Sequence, residues 1–99
     1  MVETHLDKRL LKTIQGFSQL DKARISKTVN LFSEKGFYTD EVYLKKITRR
    51  IWEMKPGNIR LLFGMIGGTA VFVSIFVKKT QKTPLKEIKL AEKRLSEYL

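Results

Sequence analysis

Leu61 to Val77 is a run of 17 residues without a formal charge, interrupted at its centre by Gly67-Gly68-Thr69. Such a run folds either as a helix crossing a bilayer or as a pair of buried strands. Its length is at the short end of the spanning range, although Gly64 and Gly68 stand at the spacing of helix-packing glycines. Adjacent glycines in its middle weaken a helix by about 1 kcal/mol each. Its second half, Val71-Phe72-Val73-Ser74-Ile75-Phe76-Val77, is β-branched and aromatic, which suits a pleated strand. Arg60 on one side and Lys78-Lys79 on the other give no orientation bias. The run therefore predicts a β-hairpin, Ile59–Ile66 and Ala70–Val77, turning at the two glycines, with no membrane as partner.

The segments on either side give the expected frame. Thr4-His5-Leu6-Asp7 fits a capping box, and Leu6, Leu10, Ile14 and Phe17 recur at helical spacing, which predicts a first helix over about residues 5–17. Ser18-Gln19-Leu20-Asp21 starts a second helix through Ile25, Val29 and Phe32, which Gly36 ends. Residues 37–48 read as loop anchored by Tyr38, Tyr43, Leu44 and Ile47, and 51–55 as a strand stopped at Pro56-Gly57-Asn58. Thr83 as N-cap and Pro84 at the first helical position open a closing helix with Leu85, Ile88, Ala91 or Leu90, Leu95 and Tyr98 on its apolar stripe. The expected fold class is α+β: an N-terminal helical hairpin packed on a small twisted antiparallel β-sheet, with a C-terminal helix.

With 99 residues, 42% of them apolar, the chain suffices for one small domain over 1–99. It has no cysteine, which excludes disulfides and thiolate metal sites and leads us to expect a reducing, cytoplasmic setting. Met1 to Asp7 contains no apolar signal core, so export is not expected. The net charge of +10 is unevenly placed: +1 over residues 1–41, +5 over 42–60 and +4 over 78–99. Charge concentrated beside the apolar run attracts polyanions at long range and speeds their association.

Trp52-Glu53-Met54-Lys55, Asn58-Ile59-Arg60 and above all Phe76-Val77-Lys78-Lys79-Thr80-Gln81-Lys82-Thr83-Pro84, followed by Glu87-Ile88, Ala91, Arg94 and Glu97-Tyr98, resemble the RelE/ParE superfamily of toxins, in particular its phage-derived, HigB-like branch. The resemblance covers residues 51–99; residues 1–50 agree in layout alone. It implies a RelE/ParE-like fold and the toxin half of a type II toxin–antitoxin pair, a ribosome-dependent endoribonuclease cleaving messenger RNA during translation. It also implies a cognate antitoxin whose acidic or helical segment covers the basic site. Two positions depart from the pattern: Ser74 stands where members often carry histidine, and Leu85 near the place of a tyrosine in some relatives.

RNA cleavage through the 2′-hydroxyl needs that hydroxyl aligned, charge on phosphorus stabilised and the leaving 5′-oxygen protonated. With one histidine, His5, and no clustered carboxylates, neither a metal site nor a cofactor is expected. The candidates are cations on strand ends, brought together by the hairpin: Arg60, Lys78, Lys79 and Lys82 as catalytic residues, Lys55, Arg49, Arg50 and Lys86 as RNA-binding ones. Arg60 offers a planar fork for two phosphate oxygens, with an ion pair to Glu53 or Glu87 as its alternative. Trp52 reads as core or as a stacking surface for a base, and Tyr98 as a helix-end contact or a late catalytic hydroxyl. Two other functions suit the same residues: poisoning of DNA gyrase, as in ParE-like toxins, and nucleic-acid binding without turnover.

Overall fold

The computed structural model describes residues 1–99. Five strands and three helices follow in the order β1 (Glu3–Leu6), α1 (Leu11–Gln15), α2 (Gln19–Lys35), β2 (Leu44–Lys46), β3 (Trp52–Met54), β4 (Ile59–Ile66), β5 (Thr69–Val77) and α3 (Leu85–Ser96). The strands form one mixed sheet in the order β1-β5-β4-β3-β2, with β1 parallel to β5 and the other pairs antiparallel. No helix is long and apolar enough to cross a membrane.

The uncharged run is the β4–β5 hairpin at the sheet's centre, and Gly67 in its turn has φ 60°, which glycine adopts without strain. Both faces of the hairpin are covered, which is why the run has no polar alternation. Ile59, Leu61, Phe63, Ala70 and Phe72 pack with Phe32 and Ile25 of α2, while Leu62, Val71 and Val73 pack with Ala91 and Leu95 of α3. Truncating Phe63, which is fully buried among Phe32 and Phe72, would cost about 3–5 kcal/mol. The register shifts between Leu62, opposite Ser74, and Phe63, opposite Phe72, which leaves Val73 without a cross-strand partner. Arg94 of α3 uses this bulge, donating from Nη1 to the Val73 carbonyl at 2.9 Å. Gly64 lets α3 approach: a Cβ there would collide with Leu95 Cδ2 and stand 3.0 Å from the Arg50 carbonyl.

Ser18 caps α2 by accepting from the Asp21 amide at 3.1 Å, and Gly36 ends it at φ 57°. The expected helical hairpin and antiparallel sheet are not what forms. Thr4, His5 and Leu6 lie extended beside Ala70, Val71 and Phe72, so the chain opens on a strand and the sheet is mixed. The N-cap lies three residues later than expected, at Asp7, whose carboxylate accepts from the Arg9 amide at 2.9 Å. A 3₁₀ turn over Lys8–Leu10 and the five residues of α1 are all that follows of the first helix. Two smaller corrections accompany this one. The expected loop 37–48 contains β2, and Pro84 rather than Thr83 occupies the N-cap of α3.

Candidate functional site

A cleft of about 190 Å³ opens where the far end of the β4–β5 hairpin meets the N-terminus of α3. Register explains its contents. Arg60 faces Phe76 across the hairpin, and the ladder continues past the strands through the Lys78 amide, which donates to the Asn58 carbonyl at 2.8 Å. Side chains two apart share a face, so Lys78 joins Arg60 and Phe76. On the same face, Lys45 of β2 stands opposite Glu53 of β3, which stands opposite Leu62 of β4. The segment from Lys78 to Pro84 closes the cleft, contributing Lys79, Thr80, Gln81, Lys82 and Thr83 to the wall.

Arg60 is 8% exposed, and its Nη1 donates to the carbonyls of Gly57 at 2.8 Å and Ile59 at 2.9 Å. Its Nε lies 3.9 Å from Glu53 Oε1, so the ion pair with Glu53 exists, in a buried setting, while Glu87 instead accepts from Ser74 Oγ at 2.9 Å. Nε and Nη2 make no hydrogen bond within the protein, and no buried side-chain nitrogen lacks a partner, so both keep some contact with solvent. The guanidinium is thus fixed by two backbone carbonyls, with one edge left for a ligand. Glu53, 5% exposed, is the single carboxylate among six cations, and its Oε2 accepts from Thr83 Oγ1 at 2.5 Å. That bond draws Thr83 away from capping α3 and ties the lysine-bearing segment to β3.

Of the residues singled out from sequence, Arg60, Lys78, Lys79, Lys82 and Lys55 line this one cleft. Arg49 and Arg50 do not: they sit exposed in the turn between β2 and β3, at the end of that strand pair remote from Lys55. Lys86 lies exposed in the first turn of α3, outside the lining. Lys45 and Glu53 belong to the cleft and were not among the candidates. Glu53 had a signal, as the one acid between residues 42 and 60; Lys45 lay in what reads as loop. Ser74 and Leu85, the two departures, are absent from the cleft, and Trp52 packs against Phe37 and the core beneath α2.

At the opposite end of α3 a second charged group is fully paired. Asp7, 1% exposed, accepts from Arg9 Nε at 2.9 Å, Arg9 Nη2 at 2.7 Å and Tyr98 Oη at 2.8 Å. Arg9 Nη2 also donates to Glu97 Oε1 at 2.8 Å. The Arg9 side-chain bonds hold the Asp7 carboxyl well below its ordinary range against the opposing pull of burial, helped by the Arg9 amide and Tyr98. The two carboxylates in turn push the Arg9 guanidinium up, and burial, then the bond to Asp7, raise the Tyr98 phenol. Tyr98 is therefore a helix-end contact, remote from the cleft.

Dense, incompletely paired positive charge at one end of a rigid sheet attracts polyanions. The model of the phage-derived Gp49-like proteins (DUF891) matches residues 12–96. The chain belongs to this family, which is toxin-like and related to the RelE and HigB toxins. No curated protein matches the chain.

Proposed function

We propose that this protein is the toxin of a toxin–antitoxin pair and that its cleft cleaves messenger RNA on the ribosome. The observation that carries the reading is the convergence of Arg60, Lys78, Lys79, Lys82, Lys55 and Lys45 on one small cleft with a single carboxylate. In the proposed step the ribose 2′-hydroxyl gives its proton to solvent water as its oxygen attacks the adjacent phosphorus. The bond to the 5′-oxygen breaks and a 2′,3′-cyclic phosphate remains. The open edge of Arg60 takes the charge that grows on the phosphoryl oxygens, at a position already fixed by Gly57 and Ile59. An ammonium of Lys78, Lys79 or Lys82 gives its proton to the leaving 5′-oxygen. Lys45 and Lys55 hold the flanking phosphates, and the antitoxin inhibits by covering the same charge.

The test is a reconstituted translation reaction with messenger breaks mapped by primer extension, with and without ribosomes. Breaks that need ribosomes, and fall at least about 100-fold with Arg60→Ala, are the expected result. An intact messenger with translation continuing would overturn it in favour of gyrase poisoning or plain binding.

A further inference from the structure

Around the edge strand β2, on the sheet face that carries α2, lies an open groove of about 730 Å³ lined by Phe37, Val42, Leu44 and Trp52, with Asp40 and Glu41 on one wall. It shares Lys45 and Lys55 with the basic cleft, so the two sites meet at the sheet edge. Phe37 is the unusual element. It is 46% exposed, yet its ring packs on two others, at 5.3 Å and 87° from Phe32 and at 4.7 Å from Trp52. Lys46 Nζ stands 5.3 Å from the centre of the Trp52 ring, which adds a cation beside the aromatic pair.

We infer that this groove is a base-stacking subsite for single-stranded RNA, in which Phe37 stacks on the base of a nucleotide next to the one held at Arg60. The inference rests on the reading of the cleft as an RNA site. Three observations select this occupant. A half-exposed ring packed on two others is a ready platform, since every base has a face to stack. The lysines common to both sites lie where a phosphate chain turning the edge would run. A protein strand adding to the sheet is the poorer fit, because β2 has three residues and two of them are lysines, which discourage edge pairing. Asp40 and Glu41 repel phosphate and so confine the backbone to the lysine side.

Trp52 is the sole tryptophan, so its emission reports on the groove directly. The experiment titrates the protein with a short 2′-O-methyl RNA, which resists cleavage, and with an abasic oligomer of the same length. Binding about five- to a hundred-fold tighter for the base-bearing strand, with quenching of Trp52, is expected. Phe37→Ala and the bulk-preserving Phe37→Leu should both erase that preference while leaving abasic binding and its salt dependence alone. Equal affinity for the two oligomers, without quenching, overturns the stacking subsite and leaves the cleft reading standing. No salt-sensitive binding to either overturns both.

Discussion

The two ends of α3 treat charge in opposite ways. At its C-terminus Asp7, Arg9, Glu97 and Tyr98 form a closed network in which each carboxylate has its donor. At its N-terminus six cations face one carboxylate, and the fixed Arg60 keeps an open edge. A domain selected for stability alone would pair the second group as it pairs the first, because like charges held together weaken the compact state. On the proposed reading, the first network holds the fold and the second meets a ligand. Substitutions at the two ends should therefore separate stability from activity.

Arg60 gives the largest expected effect. Arg60→Ala should lower messenger cleavage by about 10²–10³-fold. Because Glu53 then loses its cation, the loss mixes chemistry with folding, so Arg60→Lys is the cleaner variant. It retains a charge near Glu53 but lacks the planar fork. A melting temperature near that of the parent with depressed cleavage is the expected pairing; cleavage at the parental rate would remove the fork from the chemistry.

Asp7→Asn inverts that pattern. The charge that Arg9 and Tyr98 surround is lost, while the asparagine oxygen can still cap the turn, at about 2 kcal/mol, or roughly 8–16 °C in melting temperature for a domain of this size. RNA affinity should not move. Since the folded-state pKa of Asp7 lies below its unfolded value, its contribution is full above about pH 4 and is lost as the pH falls further. Thermal melts across this range should converge for parent and variant as the medium becomes acidic. A constant gap between them would mean that the carboxylate's ionisation is not what stabilises.

The same contrast explains what the sequence made legible. The β4–β5 hairpin is a local signal: two β-prone runs meet at two glycines, and counting outward from Gly67-Gly68 places Arg60 near Lys78. The α2 helix was equally local, with Ser18 and Gly36 marking its ends. By contrast, β1 pairs with a strand from the other half of the chain, and Thr4 to Asp7 satisfies a capping pattern as well as it satisfies a strand. Parallel pairing leaves no local mark, so the helical hairpin was the natural misreading. The site divides along the same line. Its hairpin-borne cations followed from turn arithmetic, whereas Lys45 and Glu53 depend on the pairing of β2 with β3, a contact too short to show. Thr83 was legible as a hydroxyl with a task, but a buried carboxylate competed for it and won.

Within the cleft, Lys79→Ala should weaken binding of single-stranded RNA about two- to tenfold at moderate salt and make the log–log salt slope shallower by about 0.7. Its melting temperature should stay within a few degrees of the parent, because Lys79 is exposed and makes no ion pair. Filter binding at several salt concentrations gives the slope directly. An unchanged slope would place Lys79 away from the phosphates and shift the weight to Lys78 and Lys82.

Tyr98→Phe is the smallest change and the one that most sharpens the contrast, since it removes a single oxygen from the closed network. One donor to Asp7 is lost, worth about 1 kcal/mol near neutral pH. Burial and the adjacent carboxylate raise the Tyr98 pKa above its usual 10.0, so the protonated phenol is favoured in the folded state. That contribution is complete below about pH 10 and is lost as the pH rises through the raised value. The parent should accordingly lose stability faster than Tyr98→Phe above pH 10, and the gap between them should close. Arg60 and the lysines of the cleft lie at the other end of α3, so cleavage measured at neutral pH should not change. Curves that remain parallel into alkali would show that the phenol's proton is not coupled to folding, and the closed network would reduce to the Asp7–Arg9 pair.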